Sequence, residues 1–175
     1  RPVILGSSMG GNICLHLAEK HEDELRALIA VEACEHSLGW HIDWLRHSHI
    51  HGGEAAAQSV FGLMAPQSPD KYRWETWWYY AQGGPGIFKG DLYFYSQDHD
   101  FRGRTEKLSG KVPMYYMTGV YDFACTPEMT EESAAKTKNS ECIIMEEIGH
   151  FPMSENPELF NSYLMPVLDK IVAAS

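Results

Sequence analysis

The chain has 175 residues and a mass of 19.8 kDa, about the size of one ordinary domain. Apolar residues make up 44% and charged residues 22%, which fits a globular protein and excludes a disordered chain or a fibrous rod. The 14 Lys and Arg residues against 24 Asp and Glu give a net charge of -10, which argues against a nucleic-acid partner. No apolar run approaches the ~18–20 residues that cross a bilayer, so we expect no membrane span.

The first 35 residues predict a βαβ unit. A short apolar run at Val3–Leu5 is followed by a helical pattern from Gly10 to about His21, and then by a second apolar run at Leu28–Val31. Continuous apolar runs are typical of strands that are buried on both faces of a parallel sheet. A strand-helix-strand order favours a right-handed crossover between two parallel strands.

Residues 36–108 interrupt this order with closely spaced Trp, Tyr and Phe side chains and with Gly and Pro. We predict an inserted cap of short helices here, at 53–64 and 70–82. The aromatic side chains either form the core of this cap or line an apolar substrate pocket, for which Trp77 and Trp78 are the candidates.

The βαβ order returns near Val112, with predicted strands at 114–118 and 142–145. Thr126 and Pro127 predict the start of a helix, as N-cap and first helical residue. A terminal amphipathic helix is predicted from Pro157. The predicted organisation is a core part at 1–35, a cap at 36–108 and a second core part at 109–175.

The strongest chemical signal is a G-x-S-x-G sequence, Gly6-Ser7-Ser8-Met9-Gly10, between a predicted strand and a predicted helix. A sharp turn there would lift Ser8 above the sheet in a strained backbone conformation. The Met9 N–H would then point into the site and help to bind an oxyanion. Ser7 is a poor alternative nucleophile, because Leu5 would then stand at the first glycine position.

This motif, in this context, resembles the nucleophile elbow of the α/β-hydrolase family. In that family the acid follows the seventh strand and the histidine follows the eighth. Here Asp122 follows the strand at 114–118 and His150 follows the strand at 142–145. The resemblance implies a mostly parallel sheet with helices on both faces, and a triad of Ser8, Asp122 and His150 that needs no cofactor.

The resemblance also implies a reaction. A Ser-Asp-His triad is typical of serine hydrolases, which cleave an ester or related acyl bond through an acyl-enzyme. We expect a small and apolar substrate molecule. Carbon–carbon bond hydrolases, lactonases and acyltransferases share the triad, and a low-turnover small-molecule receptor of the same fold is a further alternative.

Other ionisable residues have simpler interpretations. Glu35 and Asp43, just beyond the second predicted strand, are the alternative acids for His150. The acidic residues between 128 and 158 are expected on solvated helix faces. We predict no metal site for the alternating His47, His49 and His51, since no ligand-like Cys or carboxylate stands near them. The four cysteines are widely spaced and predicted to be reduced (Cys14, Cys34, Cys125 and Cys142).

The first residues read as a buried strand, and the strands that precede the elbow in the α/β-hydrolase family are not in the sequence. In that family, a loop among them carries the second oxyanion donor. We therefore expect an N-terminal segment of the same protein to pair with the free edge of Val3–Leu5. The composition is compatible with the cytoplasm, and a homo-oligomer is possible.

Overall fold

The computed structural model describes residues 1–37, 47, 53–84 and 86–174. Their four strands form one parallel sheet in sequence order. The strands are β1 (Val3–Ser7), β2 (Ala27–Val31), β3 (Met114–Gly119) and β4 (Ser140–Met145). The predicted α/β fold with a parallel sheet is therefore confirmed.

The two inner strands explain the apolar runs in the sequence. Every residue of β2 and of β3 is buried, so both of their faces contribute to the core. The outer strands β1 and β4 are only partly buried, and Leu5 in β1 is 40% exposed. The carboxyl ends of all four strands lie at the same edge of the sheet, where parallel α/β proteins place their functional groups.

Helices cover both faces of the sheet. On one face, α1 (Met9–Lys20) and α5 (Pro127–Lys136) pack against a core that includes Leu28 and Tyr116. On the other face, α7 (Pro157–Ala173) packs its apolar stripe onto alternate residues of β2 and β3. As predicted, α5 has Thr126 as N-cap, whose Oγ1 accepts a hydrogen bond from the Met129 N–H.

The described residues between β2 and β3 are mainly helical. They contain α2 (Gly53–Leu63), α3 (Asp70–Ala81) and α4 (Ile87–Tyr93), which continues into a π-helical turn at Phe94–Asp98. A short 3₁₀ turn follows at Thr105–Lys107. The helices predicted at 53–64 and 70–82 are therefore present with nearly the predicted bounds, whereas α4 and the π-helical turn were not predicted.

The end of α2 joins this helical segment to the core. Val60, Leu63 and Met64 pack against Phe151, which leads into the short helix α6 (Pro152–Glu155). In the described part of the chain, no helix is long and apolar enough to cross a membrane. The four cysteines are not joined by disulfides in the structure, and the Sγ atoms of Cys34 and Cys125 lie 3.3 Å apart. Their predicted reduced state stays a prediction.

Candidate active site

Ser8 occupies the turn between β1 and α1 in a conformation that is rare for a residue with a side chain. Its φ is 55° and its ψ is -116°. Its N–H donates a hydrogen bond to the Val31 carbonyl, at 2.9 Å, at the end of the neighbouring strand. Such a position costs about 1–3 kcal/mol and is typical of functional sites. The strained serine predicted from the motif is therefore present.

The glycines of the motif contribute unequally to this turn. A Cβ atom on Gly6 would lie 2.1 Å from the Gly10 carbonyl oxygen, so a side chain there is excluded. A Cβ atom on Gly10 would meet nothing within 4 Å, whereas one on Gly11 would lie 2.4 Å from the Val31 carbonyl oxygen. The second position that requires glycine is therefore Gly11, directly after the motif, and not Gly10 within it.

A continuous chain of hydrogen bonds runs from Ser8 through His150 to Asp122. Ser8 Oγ lies 2.8 Å from His150 Nε2, and His150 Nδ1 lies 2.7 Å from Asp122 Oδ2. The imidazole and the carboxylate are both buried, at 5% and 2% exposure. The structure thus brings together the three residues that the sequence singled out, from the carboxyl ends of β1, β3 and β4. Their catalytic roles stay a prediction.

Backbone amides hold the Asp122 carboxylate in place. Asp122 Oδ1 accepts hydrogen bonds from the N–H groups of Ala124 and Cys125, at 2.7 and 3.2 Å. Burial on its own would raise the pKa of Asp122, but the charge and hydrogen bond of His150 outweigh it and lower the pKa. A charged Asp122 fixes the tautomer in which His150 carries a proton on Nδ1, and Nε2 is then free to accept a proton from Ser8.

A second carboxyl group, that of Glu32, lies behind Asp122, and sequence reasoning missed it. Glu32 directly follows β2 with a φ of 51°, is fully buried, and its two oxygens accept from the Gly119 N–H at 3.1 and 3.2 Å. Burial, followed by the charge of Asp122, raises the pKa of Glu32 well above its usual range. The sequence did contain a signal for Glu32, because an acidic residue stands there directly after the apolar run of a buried strand.

Ligand-type atoms of Glu32, Asp122 and His150 lie within 4.8 Å of one another, a spacing that a metal ion would also accept. Hydrogen bonds between neighbouring members account for this spacing. Of the three alternating histidines, His49 and His51 lie outside the described residues. The prediction that these histidines bind no metal is therefore not tested.

Glu35, one of the two alternative acids, does not face His150. Its carboxylate accepts a hydrogen bond from Thr105 Oγ1 at 3.1 Å and forms an ion pair with Lys136. It therefore ties the loop after β2 to α5 and to the 3₁₀ turn. Asp43, the other alternative, lies outside the described residues.

Glu155 holds the loop that carries His150 in place. The prediction that Glu155 is exposed to solvent is wrong. Glu155 was predicted on a solvated helix face, but it is fully buried. Its Oε1 accepts from the N–H groups of Gly149 and Phe151, at 2.8 and 3.1 Å, and its Oε2 accepts from the Ala65 N–H at 2.7 Å. Ser68 Oγ donates a fourth hydrogen bond, at 3.0 Å. Burial raises the pKa of Glu155, while these donors favour its charged form.

A cavity of about 260 Å³ opens directly above Ser8. Met9 and His150 line it on the core side, and its walls are mainly apolar residues from the helical segment (Ala56, Val60, Leu63, Phe88 and Leu92). The Met9 N–H lies in the first turn of α1, where it has no acceptor within the helix. It is therefore suitably placed to donate a hydrogen bond to a molecule in the cavity.

Tyr95 was not singled out by the sequence, yet it contacts the candidate nucleophile directly. Its hydroxyl oxygen lies 2.7 Å from Ser8 Oγ. It comes from the π-helical turn at Phe94–Asp98, which no apolar periodicity indicated. The mainly apolar lining of the cavity therefore includes a polar group, the Tyr95 hydroxyl, that is hydrogen-bonded to Ser8.

Trp77 and Trp78 do not line this cavity in the described part of the chain. The Trp77 ring packs edge-on against Trp74 at 5.8 Å, and Trp78 is 58% exposed. Neither side chain therefore contributes to the walls of the cavity. Tyr80, one turn further along the same helix, lines the cavity instead.

Comparisons with known proteins agree with this geometry. The family model described as alpha/beta hydrolase fold matches residues 1–55, which include the turn at Ser8. No curated protein sequence is significantly similar to the chain. Among solved structures, the chain is similar to a thermophilic esterase from Thermogutta terrifontis, with a TM-score of 0.83 and 19% identity over 98% of this chain and 65% of that one.

The chain is also similar to two further solved structures. The enol-lactonase from Burkholderia xenovorans LB400 gives a TM-score of 0.83 at 16% identity, over 97% of this chain and 66% of that one. Est816, described as an N-acyl homoserine lactone degrading enzyme, gives a TM-score of 0.67 at 17% identity, over 95% of this chain and 67% of that one. The chain thus spans about two thirds of the length of these structures. Together with the sheet and the turn at Ser8, these matches show that the chain has the α/β-hydrolase fold.

Proposed function

We propose that the protein is a serine hydrolase that cleaves an ester or a related acyl bond of a small, mainly apolar molecule through an acyl-enzyme. The observation that carries this proposal is the hydrogen-bonded chain of Ser8, His150 and Asp122 beneath an apolar cavity. A serine hydroxyl becomes a good nucleophile only when a positioned base removes its proton.

In the acylation step, Ser8 Oγ attacks the carbonyl carbon of the ester while its proton moves to His150 Nε2. The electron pair of the C=O bond moves to the carbonyl oxygen, and the Met9 N–H donates a hydrogen bond to that oxyanion. When the intermediate collapses, the C–O bond to the alcohol breaks and His150 gives its proton to the alcohol oxygen. Asp122 stabilises the imidazolium throughout and keeps its own charge.

In the deacylation step, water takes the place of the alcohol. His150 Nε2 removes a proton from this water, whose oxygen attacks the acyl carbon. The second intermediate breaks the bond to Ser8 Oγ, which recovers a proton from His150. A carboxylic acid leaves, and the enzyme returns to its starting state.

The cavity supports the choice of substrate class. Its volume suits a small molecule, and its described lining residues include one carboxylate, Asp91, and no Lys or Arg. An anionic acyl group would therefore find no cationic partner among these described residues, and we favour neutral esters. Esterases and lactonases are among the similar structures, and both linear and cyclic esters fit the acyl-enzyme chemistry. We assign residues 36–108 to a cap that selects the substrate.

The proposal is tested by labelling the full-length protein with a fluorophosphonate, which reacts with activated serines. We expect stoichiometric modification of Ser8 and hydrolysis of p-nitrophenyl butyrate. Ser8→Ala should abolish labelling and lower kcat by about 10⁶-fold, and Asp122→Asn should lower it by about 10⁴-fold.

Ser7→Ala, a change at the adjacent serine, is the matched control and should leave Ser8 labelled. A folded protein whose Ser8 stays unlabelled would refute the proposal. Rapid labelling together with binding but no turnover of esters or lactones would instead favour the receptor alternative.

A further inference from the structure

The contact between Tyr95 and Ser8 has a defined direction. Because Ser8 donates its proton to the neutral Nε2 of His150, its oxygen can only accept from Tyr95. The Tyr95 hydroxyl, 2.7 Å away, is therefore the donor. A phenol that donates to the attacking oxygen of a nucleophile therefore lies beside the centre at which the reaction takes place.

The Tyr95 hydroxyl remains protonated under all working conditions. Burial raises its pKa far above the ordinary value for a tyrosine, and the hydrogen bond to Ser8 offsets this effect only in part. A neutral phenol in a mainly apolar cavity is a permanent hydrogen-bond donor. Only its O–H bond has to rotate for this donor to meet negative charge that develops nearby.

The structure also holds Tyr95 firmly in place, although it belongs to the helical segment between β2 and β3. The π-helical turn ends at His99, a buried residue whose Nε2 lies 2.8 Å from the Cys34 carbonyl oxygen in the loop after β2. The Phe94 ring stacks on the His99 ring at 5.6 Å and meets the Tyr95 ring edge-on at 5.5 Å. The residues on both sides of Tyr95 are thus fixed to the core.

We propose that Tyr95 is a catalytic residue whose hydroxyl donates a further hydrogen bond to the oxyanion, in addition to that of the Met9 N–H. This inference rests on the proposed serine hydrolase function. When Ser8 Oγ bonds to the carbonyl carbon, the Tyr95 O–H shifts its hydrogen bond from Oγ to the adjacent oxyanion. Tyr95 keeps its proton throughout, so no charge or proton is gained or lost at this residue.

The arrangement around Ser8 Oγ favours the oxyanion over the leaving group as the acceptor. The oxygen has four tetrahedral directions, of which Cβ, the proton shared with His150, and Tyr95 occupy three. The carbonyl carbon enters by the fourth. The leaving alcohol must face His150, which protonates it, so the oxyanion is the substituent that turns toward Tyr95 and Met9.

The test compares Tyr95→Phe with the wild-type, full-length protein on esters of one acid with p-nitrophenol, phenol and ethanol. We expect kcat to fall by about 10²–10³-fold with little change in KM, as for the loss of one oxyanion donor. The fall should be similar for all three leaving groups. The rate of labelling by a fluorophosphonate should fall in parallel, since its attack also builds charge on an oxygen.

Tyr116→Phe is the matched control, because it also removes a buried phenol hydroxyl, one that lies 2.9 Å from Thr137 Oγ1 in the core. It should leave kcat unchanged. Should Tyr95→Phe fold poorly, 3,5-difluorotyrosine at position 95 keeps the ring and the donor but lowers the phenol pKa. A new alkaline loss of kcat is then expected, because the phenolate cannot donate.

Three results would overturn the inference while leaving the proposed function intact. They are an unchanged kcat in Tyr95→Phe, a faster reaction (Tyr95 then only blocks Ser8), and a fall confined to the poorer leaving groups. The absence of an alkaline loss of kcat with difluorotyrosine would equally refute it. Failure of the function itself has a different signature, namely a wild-type protein whose Ser8 does not react.

Discussion

The carboxyl group of Glu32 is hydrogen-bonded to the carboxylate of Asp122, so that two acids share one buried site behind His150. Two neighbouring carboxyl groups in a buried site do not both ionise. Burial and the charge of Asp122 raise the pKa of Glu32, while His150 lowers that of Asp122. Glu32 therefore keeps the proton and donates it to Asp122, which keeps the charge that His150 needs.

Replacement of Glu32 tests this division of charge. In Glu32→Gln, the amide oxygen can accept from the Gly119 N–H and the amide NH₂ can donate to Asp122, so kcat should stay near the wild-type value. Glu32→Leu removes both interactions, and kcat should fall together with the stability of the site. A large loss of kcat in Glu32→Gln, measured with p-nitrophenyl butyrate, would show that Glu32 carries the charge instead.

The same variant has a predicted effect on the pH dependence of stability. Because the pKa of Glu32 is raised in the folded state, the folded protein binds this proton more tightly than the unfolded one. The stabilisation that this proton gives the folded state is fully present below about pH 4.3, the pKa of a glutamate in the unfolded chain. It is lost as the pH rises toward the pKa of Glu32 in the folded protein, by up to about 1.4 kcal/mol per pH unit. Urea unfolding between pH 5 and pH 8 should therefore show a shallower decline in Glu32→Gln than in the wild type.

Replacement of Glu155 should weaken both the fold and the site. In Glu155→Gln, one carboxylate oxygen becomes an NH₂ group that faces backbone N–H donors. Each buried donor left without an acceptor costs about 1–3 kcal/mol, and His150 lies between two of those donors. The free energy of unfolding and kcat should therefore fall together. Glu158→Gln, on the exposed side of the next helix, is the control. Equal stability of the two variants would contradict the assigned role.

From the residues that line the cavity, we predict which side chain limits the length of the acyl chain that the site accepts. Phe88 lines the cavity, so Phe88→Ala should enlarge it and raise the kcat/KM ratio of hexanoate to butyrate esters by about tenfold. Trp78→Ala should leave this ratio unchanged, since Trp78 is 58% exposed and lies away from the cavity. The opposite ranking of the two variants would restore the tryptophans as the substrate-binding residues.

The turn at Ser8 gives a prediction that contrasts two glycines of one motif. Gly10→Ala should be tolerated or slightly stabilising, by about 0.5–1 kcal/mol, because a Cβ atom there meets nothing within 4 Å and alanine favours a helix. Gly6→Ala should disrupt the turn, since its Cβ would lie 2.1 Å from a carbonyl oxygen. Thermal unfolding and Ser8 labelling measure both effects. A folded, reactive Gly6→Ala variant would contradict the steric account.

The sequence predicts the sheet and the relative order of Ser8, Asp122 and His150 because each signal is local. An apolar run, a helix start at Thr126 or a glycine turn is determined by a few neighbouring residues. Parallel strands then bring their carboxyl ends together, whatever the sequence between them. This is why residues up to 142 positions apart could be assigned to one site.

The parts that sequence did not predict depend on contacts between distant segments. Glu155 looks like an ordinary helix acid until the loop of His150 and the end of α2 surround it. Tyr95 is one of many aromatic residues, and only the winding of the π-helical turn places its hydroxyl at Ser8. Trp77 and Trp78 are equally aromatic, but they do not line the cavity. Composition alone could not separate these cases.

The bonds between the end of α2 and the loop of His150 set a limit on exchanging modules between hydrolases. The His150 N–H donates to the Leu63 carbonyl at 2.9 Å, and Glu155 also holds Ala65 and Ser68. A graft that replaced everything between β2 and β3 would therefore remove the support of His150 along with the cavity walls. Residues 63–68 belong with the scaffold, and so does the π-helical turn that carries Tyr95. An exchange that begins after Ser68 and ends before α4 would replace α3 while leaving His150 anchored.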